Sequence, residues 1–313
     1  MTTAPGVTRH TTPPSTDDPI LGWFQAPLDS GPGPGFLDRP DATGHTWLAT
    51  QLECAGVEML VLDGAEAGPD PLAVAPLVVA HTERLAVVVP VDPVGLPPWM
   101  AARAIATLDH LADGRVGWYL TGPGADCTER ANEYVDLLRR LWASWDADAL
   151  VMDRAANVYV DHTKVRPIDF TGRFYASRGP LNTLRPPQGA PPLVQPLGGP
   201  DRAAPIGNSD AFVGGAGPGH LLVVTPVTDA VVEDTTPDGT HLLGGPVARI
   251  VDRLAALLTG TGAAGVLLRP ADGTRRGASE LIDELVPALH AAGIGAPSAG
   301  GMLRSRLTAA TRR

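Results

Sequence analysis

Asp92 and Tyr119 have side chains that can exchange protons, and each lies at or near the end of an apolar run. Asp92 directly follows the run 85–91, and Tyr119 belongs to the run 116–120. If the two runs are parallel strands, their ends meet at the edge where barrel enzymes carry out catalysis. The two residues could then form an acid/base pair for a reaction without a cofactor. Ordinary loop polarity is an equally good interpretation.

Cys127 is a candidate nucleophile, because the sequence predicts a helix that starts beside it. The positive end of a helix lowers the pKa of a thiol and makes it more reactive. Asp126, its neighbour, opposes that effect, so a passive small residue is the competing interpretation.

Two glycine-rich segments, 122–124 and 214–219, follow predicted strands. Backbone N–H groups at such places can hold a phosphate. An ordinary turn explains the first segment, and a connection left by a lost helix explains the second. His162, His220 and His241 have no metal-ligand spacing, so we predict no metal site.

The elements that must position these residues alternate between short apolar runs and helical patterns. Continuous apolar runs are typical of strands buried on both faces of a parallel sheet, and repeated alternation predicts an α/β fold. The predicted strands are 21–24, 59–62, 85–91, 116–120, 193–195, 211–213, 221–225 and 265–268. The predicted helices are 45–54, 71–81, 98–112, 126–145, 247–258 and 278–292.

The alternation is interrupted at about 146–192, a polar and proline-rich segment that we predict to be a structured excursion. Helices after the fifth and sixth strands are predicted to be very short or absent. Residues 1–18 are predicted to be a disordered arm and 19–313 one domain. The length of 313 residues suits one α/β barrel.

Composition excludes several classes of protein. The formal net charge of −10, without a basic stripe, argues against nucleic-acid or membrane partners. Two cysteines cannot build a disulfide scaffold, and no apolar run is long enough for a membrane helix. The chain also has no apolar signal segment near Met1, so we expect a cytoplasmic protein.

The middle third contains a series of short motifs in a fixed order. These are Ala106–Leu111, Gly114–Trp118, Arg130–Tyr134, Asp148–Val151, Lys164–Asp169, Gly172–Phe174, Arg178–Asn182, Arg185–Gly189 and Leu193–Gln195. Gly244–Pro246 and Glu284–Pro287 fit the same pattern. The series resembles the luciferase-like flavin monooxygenases, in particular the class that oxidises nitrilotriacetate, EDTA and dibenzothiophene sulfone.

The resemblance implies a (β/α)8 TIM-type barrel, degenerate in its second half, that binds reduced FMN at the carboxyl ends of its strands. It also implies a separate flavin reductase, a small organic substrate and a homodimer. The positions that it assigns to the cofactor are Asp63, Thr121, Thr128, Gly198 and Gly199.

At those strand ends the chain departs from the family's pattern. Asp92–Leu96 replaces small hydroxyl residues, an aromatic residue and a histidine. Tyr119 replaces an asparagine, Cys127–Thr128 an Arg-Tyr pair, and Pro196–Pro200 a serine-containing loop. Two alternatives therefore stay open beside the monooxygenase: a flavin-independent barrel enzyme of cyclase or isomerase type, and a non-catalytic partner of a full-length homologue.

Overall fold

The computed structural model describes residues 18–25, 43–62, 69–121, 128–196, 209–227, 231–236, 239–271, 274–295 and 301–311. Except for Asp18, the predicted N-terminal arm lies outside these ranges. So do four predicted site residues: Asp63, Cys127, Gly198 and Gly199.

The main sheet consists of ten strands, nine of which pair in parallel. In chain order they are β1 (Ile20–Phe24), β2 (Met59–Val61), β3 (Ala86–Val91), β4 (Val116–Leu120), β9 (Val194–Pro196), β10 (Ala211–Val213), β11 (His220–Val227), β12 (Glu233–Thr235), β13 (His241–Gly244) and β14 (Gly265–Leu268). Only β12 pairs antiparallel, at the outer edge of β13.

Helices follow most of the parallel strands. They are α1 (Thr43–Ala55), α2 (Pro71–Ala80), α3 (Pro98–Leu111), α4 (Thr128–Trp142), α5 (Val247–Thr261), α6 (Arg275–Glu280), α7 (Val286–Ala291) and α8 (Leu303–Ala310). A π-helical turn, Leu281–Leu285, joins α6 to α7. Local signals set several helix boundaries: Asp70 caps α2 by accepting the Leu72 N–H, and Gly262 ends α5 with φ +65°.

Helix α4 ends at Trp142, three residues before its predicted end at Trp145. The chain turns after Trp142 because Trp145 pairs with Val165 in an isolated antiparallel bridge. No element was predicted after residue 292, so α8 is a correction to the sequence analysis.

The excursion at 146–192 folds into two hairpins. Strands β5 (Leu150–Asp153) and β6 (Val158–Val160) form the first, and β7 (Phe170–Thr171) and β8 (Ala176–Ser177) form the second. Trp145 holds this region to the domain by donating its indole N–H to the Leu181 carbonyl at 2.8 Å. Trp145 therefore joins the segment after α4 to the excursion.

The sheet separates two apolar clusters. The larger lies between strands and helices, and includes Trp23, Trp118 and Trp142. The smaller gathers residues from eight strands on the opposite face, so the sheet curls around them; it includes Met59, Val88, Val194, Leu221 and Leu267. Leu303, Leu307 and Ala310 of α8 complete this inner cluster.

Between β4 and β9 the described backbone pairs through one parallel bridge, Trp118 with Leu193. Two residues further along both strands, the side-chain amide of Gln195 accepts the Leu120 N–H and donates to the Leu120 carbonyl. A side chain thus replaces the next ladder bonds, and the sheet is not closed there by a continuous ladder. The observed fold is a mostly parallel, curled α/β sheet.

The second half of the sheet is irregular along β11. One edge of β11 pairs with β10 near its start and with β13 near its end. The connection between β10 and β11 is the six-residue segment 214–219, which contains no helix. Two short strands therefore follow one another along the same edge of β11.

Candidate active site at the carboxyl ends of the strands

Asp92 follows β3 and shapes its own turn. Its Oδ1 accepts the Val94 N–H at 2.8 Å, and its backbone carbonyl accepts the Leu96 N–H at 2.9 Å. A Cβ at Gly95 would lie 2.9 Å from Asp92 Oδ2, so the close approach of this carboxylate favours glycine. These contacts support a structural role for Asp92, and the predicted acid/base role stays a prediction.

Two tyrosines hold the turn from outside. Tyr175 donates its hydroxyl to the Pro93 carbonyl at 2.6 Å, and Tyr134 donates to the Leu96 carbonyl at 2.8 Å. Their rings meet edge to face, with centroids 5.4 Å apart. Burial, with the nearby Tyr175 and Asp92, raises the pKa of Tyr134 far above its ordinary value, so it stays a neutral donor.

Tyr119 lies in β4, paired with Pro90 of β3, and belongs to the inner cluster. Its buried hydroxyl donates to the Leu62 carbonyl at 2.8 Å, just beyond the end of β2. The structure thus brings Asp92 and Tyr119 to neighbouring strand ends and gives each a polar contact of its own.

Two predicted cofactor positions, Thr121 and Thr128, are both half-buried. Thr121 follows β4 and donates its backbone N–H to the Val91 carbonyl at 3.0 Å, whereas Thr128 is the first residue of α4. The other three cofactor positions, and Cys127, lie outside the described residues.

Three further residues, not predicted from the sequence, lie at neighbouring strand ends. These are Phe24 of β1, Thr225 of β11 and Arg269, which follows β14. The Arg269 guanidinium lies over the Phe24 ring, 5.7 Å from its centroid, and its Nη1 donates to Thr240 Oγ1 at 3.4 Å. Phe24 and Thr225 end predicted strands and Arg269 directly follows one, which is the signal that could have identified them.

The motifs that carry the resemblance have contacts that stabilise the scaffold. Glu133 accepts the backbone N–H groups of Arg173, Phe174 and Tyr175 at 2.7–2.9 Å, which joins α4 to the excursion. A Cβ at Gly172 would collide with the Glu133 carboxylate.

Asp109 is fully buried in α3, where the Gln188 side chain donates to it at 2.7 Å. These contacts give Asp109 a packing role in the scaffold. Burial raises its pKa, and the bonds from Gln188 and Val116 oppose that rise.

The arginines of the excursion form ion pairs. Arg166 pairs with Asp146, Arg173 with Glu129 at 2.6 Å and Arg178 with Asp169 at 3.8 Å. All six side chains are exposed, so each pair adds little stability.

Within the described ranges, no group of three or more His, Cys, Asp or Glu side chains could hold a metal ion. His241 is half-buried, and burial lowers its pKa. None of the described helices is long and apolar enough to cross a membrane.

Comparisons with known proteins agree with this architecture. The family described as luciferase-like monooxygenase matches residues 24–205. One of the pristinamycin IIA synthase subunits of Streptomyces pristinaespiralis is 31% identical over 249 residues, covering 74% of this chain and 84% of that protein. The dibenzothiophene-sulfone monooxygenase of Rhodococcus erythropolis is 36% identical over 142 residues, which span 40% of this chain but only 31% of that enzyme.

Solved structures match nearly the whole chain. A long-chain alkane monooxygenase superimposes with a TM-score of 0.79 at 18% identity, covering 93% of this chain and 96% of that one. A second structure, from Hyphomicrobium sulfonivorans, gives a TM-score of 0.77 at 18% identity, covering 93% and 92%. At such identities the likeness establishes the fold alone.

Proposed function

The chain belongs to the luciferase-like monooxygenase family, and from that premise we propose that it oxidises a small organic substrate with reduced FMN supplied by a separate reductase. The observation that supports this most is the collection of aromatic, hydroxyl and cationic side chains at the carboxyl ends of β1, β4, β11 and β14. Polar groups there face a largely apolar interior, which is typical of sites for a planar cofactor and a small ligand.

The donors present fit a flavin on the β4 side of this edge. Thr121 and Thr128 offer hydroxyl groups for the ribityl-phosphate chain, and the start of α4 favours a phosphate. Tyr119, which is buried and donates to the Leu62 carbonyl, would contribute an aromatic side chain to the wall of the cofactor site. Asp63, Gly198 and Gly199 remain proposed cofactor contacts by resemblance. When bound, reduced FMN would supply the electrons that activate dioxygen.

The chain's own residues would exclude water and position the substrate. The Asp92 turn, fixed by Tyr134 and Tyr175, would form a rigid wall beside the cofactor. We also propose closure of the curled sheet into a complete (β/α)8 barrel, degenerate after the fifth and sixth strands, with Gln195 bridging the β4–β9 seam.

Anaerobic titration with reduced FMN tests this proposal. We expect saturable binding, and we expect Thr121→Ala and Thr128→Ala each to weaken it several-fold, since each removes one hydrogen bond of roughly 1 kcal/mol. Thr259→Ala, on the exposed face of α5, is the matched control. No binding of reduced FMN would leave the flavin-independent barrel enzyme as the better hypothesis.

A second candidate function is that of one member in a pair of related chains. Its support is that the relative matched over most of both chains is one subunit of a synthase, and that the other subunit of the same synthase is also 31% identical over 104 residues. Activity that appears only when a longer homologue is co-expressed would favour this candidate over the expected homodimer.

A further inference from the structure

Phe24, Arg269 and Thr225 lie side by side on three adjacent strands. The ladder pairs Trp23 with Leu268, and Leu268 with Val224, so the next residue on each strand occupies one common level. Alternation along the strands places all three on the same face as Ile20, Leu267 and Val223 of the inner cluster. They therefore form one layer at the upper end of the curled sheet.

The hydroxyl group of Thr225 has no hydrogen-bond partner among the described residues, although the side chain is fully buried. Leaving a buried polar group unsatisfied destabilises a fold, and native proteins rarely do so without a reason. A ligand that accepts this O–H would be such a reason.

Arg269 places a positive charge beside that hydroxyl. The guanidinium is half-buried, and the residues below this layer are apolar. Its contact with the Phe24 ring and its bond to Thr240 fix it at the mouth of the interior. A guanidinium and a hydroxyl on neighbouring strands are donors suited to a carboxylate or a sulfonate.

We propose that Thr225 and Arg269 bind an acidic group of the substrate, and that Phe24 packs against its apolar body. The substrates would then be small organic acids with an apolar ring or chain. This inference rests on the proposed function, and it assigns the β1–β14–β11 side of the edge to substrate and the β4 side to FMN.

Binding of benzoate and of its neutral analogue benzamide, measured by calorimetry on the full chain, tests the proposal. We expect the wild-type protein to bind benzoate roughly tenfold more tightly or better, since a charge-assisted hydrogen bond gives at least that factor. Arg269→Met should abolish this preference, and Thr225→Val should weaken benzoate binding several-fold and weaken benzamide binding less, because an amide oxygen is a weaker acceptor than a carboxylate. Arg276→Met, an exposed arginine paired with Glu280, should change neither.

Folding is checked independently by thermal unfolding. Thr225→Val keeps the shape and removes the unsatisfied hydroxyl, so its Tm should equal or exceed that of the wild type. A lower affinity for benzoate together with an unchanged or higher Tm cannot come from a folding defect.

Several results would overturn the proposal: equal binding of the two probes by the wild type, no benzoate binding at all, or a preference that survives Arg269→Met. The phosphate of FMN is the other source of an anionic group. If Arg269→Met weakens reduced FMN binding but leaves reduced riboflavin and benzoate binding unchanged, the site belongs to the cofactor. Failure of the wild type to bind reduced FMN would instead count against the proposed function, and the benzoate comparison would still stand.

Discussion

At the residue scale, Glu133 joins helix α4 to the excursion that supports the candidate site. Its carboxylate accepts three consecutive backbone N–H groups, and the third belongs to Tyr175, which anchors the turn of Asp92. Partial burial raises the pKa of Glu133, but the three donors and nearby Arg130 outweigh that effect and lower it below its ordinary value.

Glu133→Gln should therefore lower the free energy of unfolding by about 1 kcal/mol, because a neutral amide oxygen is a weaker acceptor. A depressed pKa in the folded state stabilises the protein above the ordinary carboxyl range, and this stability is lost as the pH falls. The variant should thus lose less stability than the wild type on acidification, which urea unfolding at pH 7 and pH 4 can measure. Glu129→Gln, which breaks only an exposed ion pair, should change little.

The effect of Glu58 on stability should have the opposite pH dependence. Burial raises its pKa to about 7, the Leu21 N–H and Arg306 lower it, and Asp18 raises it. Because the folded protein holds this proton more tightly than the unfolded chain, the associated stability is present below the ordinary pKa of 4.5 and is lost as the pH rises toward 7.

Glu58→Gln should flatten that dependence. Between pH 4.5 and 7 the unfolding free energy of the wild type should decline relative to the variant, by about 2–3 kcal/mol. Parallel curves for the two proteins would show that Glu58 titrates normally. The side chain of Glu58 accepts the Leu21 N–H at 3.0 Å, which glutamine can also do.

The candidate site could be predicted only in part. Asp92 and Tyr119 were identified because strand ends can be located from apolar runs. Thr121 and Thr128 were implied only by the family resemblance. Phe24, Thr225 and Arg269 were missed because a fully apolar run does not show which alternate residues face the interior. The contact of Glu133 with Arg173–Tyr175, across 40 residues of sequence, leaves no periodic signal.

At the element scale, the strand–helix units were predicted well where long apolar runs alternate with helical spacing. The short strands β12 and β13 and the helix α8 were not, since three or four residues of strand carry little pattern. Helix α8 has only Leu303, Leu307 and Ala310 as an apolar stripe, and its position depends on polar contacts far apart in sequence. Arg304 reaches Asp210 at 2.7 Å, and Arg306 donates to the carbonyl of Glu58 at 3.1 Å.

Leu307→Ala tests how much the inner cluster depends on α8. Leu307 is 1% exposed, so truncation leaves a cavity and should lower the unfolding free energy by about 2–4 kcal/mol. Ser305→Ala, on the exposed face of the same helix, is the control and should stay within about 0.5 kcal/mol of the wild type. Equal values in denaturant titration would mean that α8 contributes little to the inner cluster.

At the scale of the whole molecule, two surfaces expose large apolar side chains. One lies along α2 and α3, where Leu77, Met100 and Leu111 are 40–61% exposed beside a cavity of about 320 Å³. The other is the hairpin of β5 and β6, with Met152 and Tyr159 exposed. Apolar patches of this kind mark association surfaces.

We expect the α2–α3 surface to mediate the proposed dimer, because its exposed apolar side chains surround a cavity that a partner's side chains could fill. Leu111→Asp should convert a dimer into a monomer in light scattering after size exclusion, whereas Met152→Asp should leave its mass unchanged. The reverse pattern would assign association to the hairpin.

The position of α8 also bears on how the chain folds as it is made. All ten strands of the main sheet are translated before Leu303, yet the inner cluster that they surround is covered at its lower end by α8. A nascent chain therefore presents an uncovered apolar surface to solvent until its last described segment leaves the ribosome. Intermediates of this kind bind chaperones or aggregate. Ribosome stalling before codon 303 should then produce a chain that chaperones retain, even though every strand of the sheet has already been synthesised.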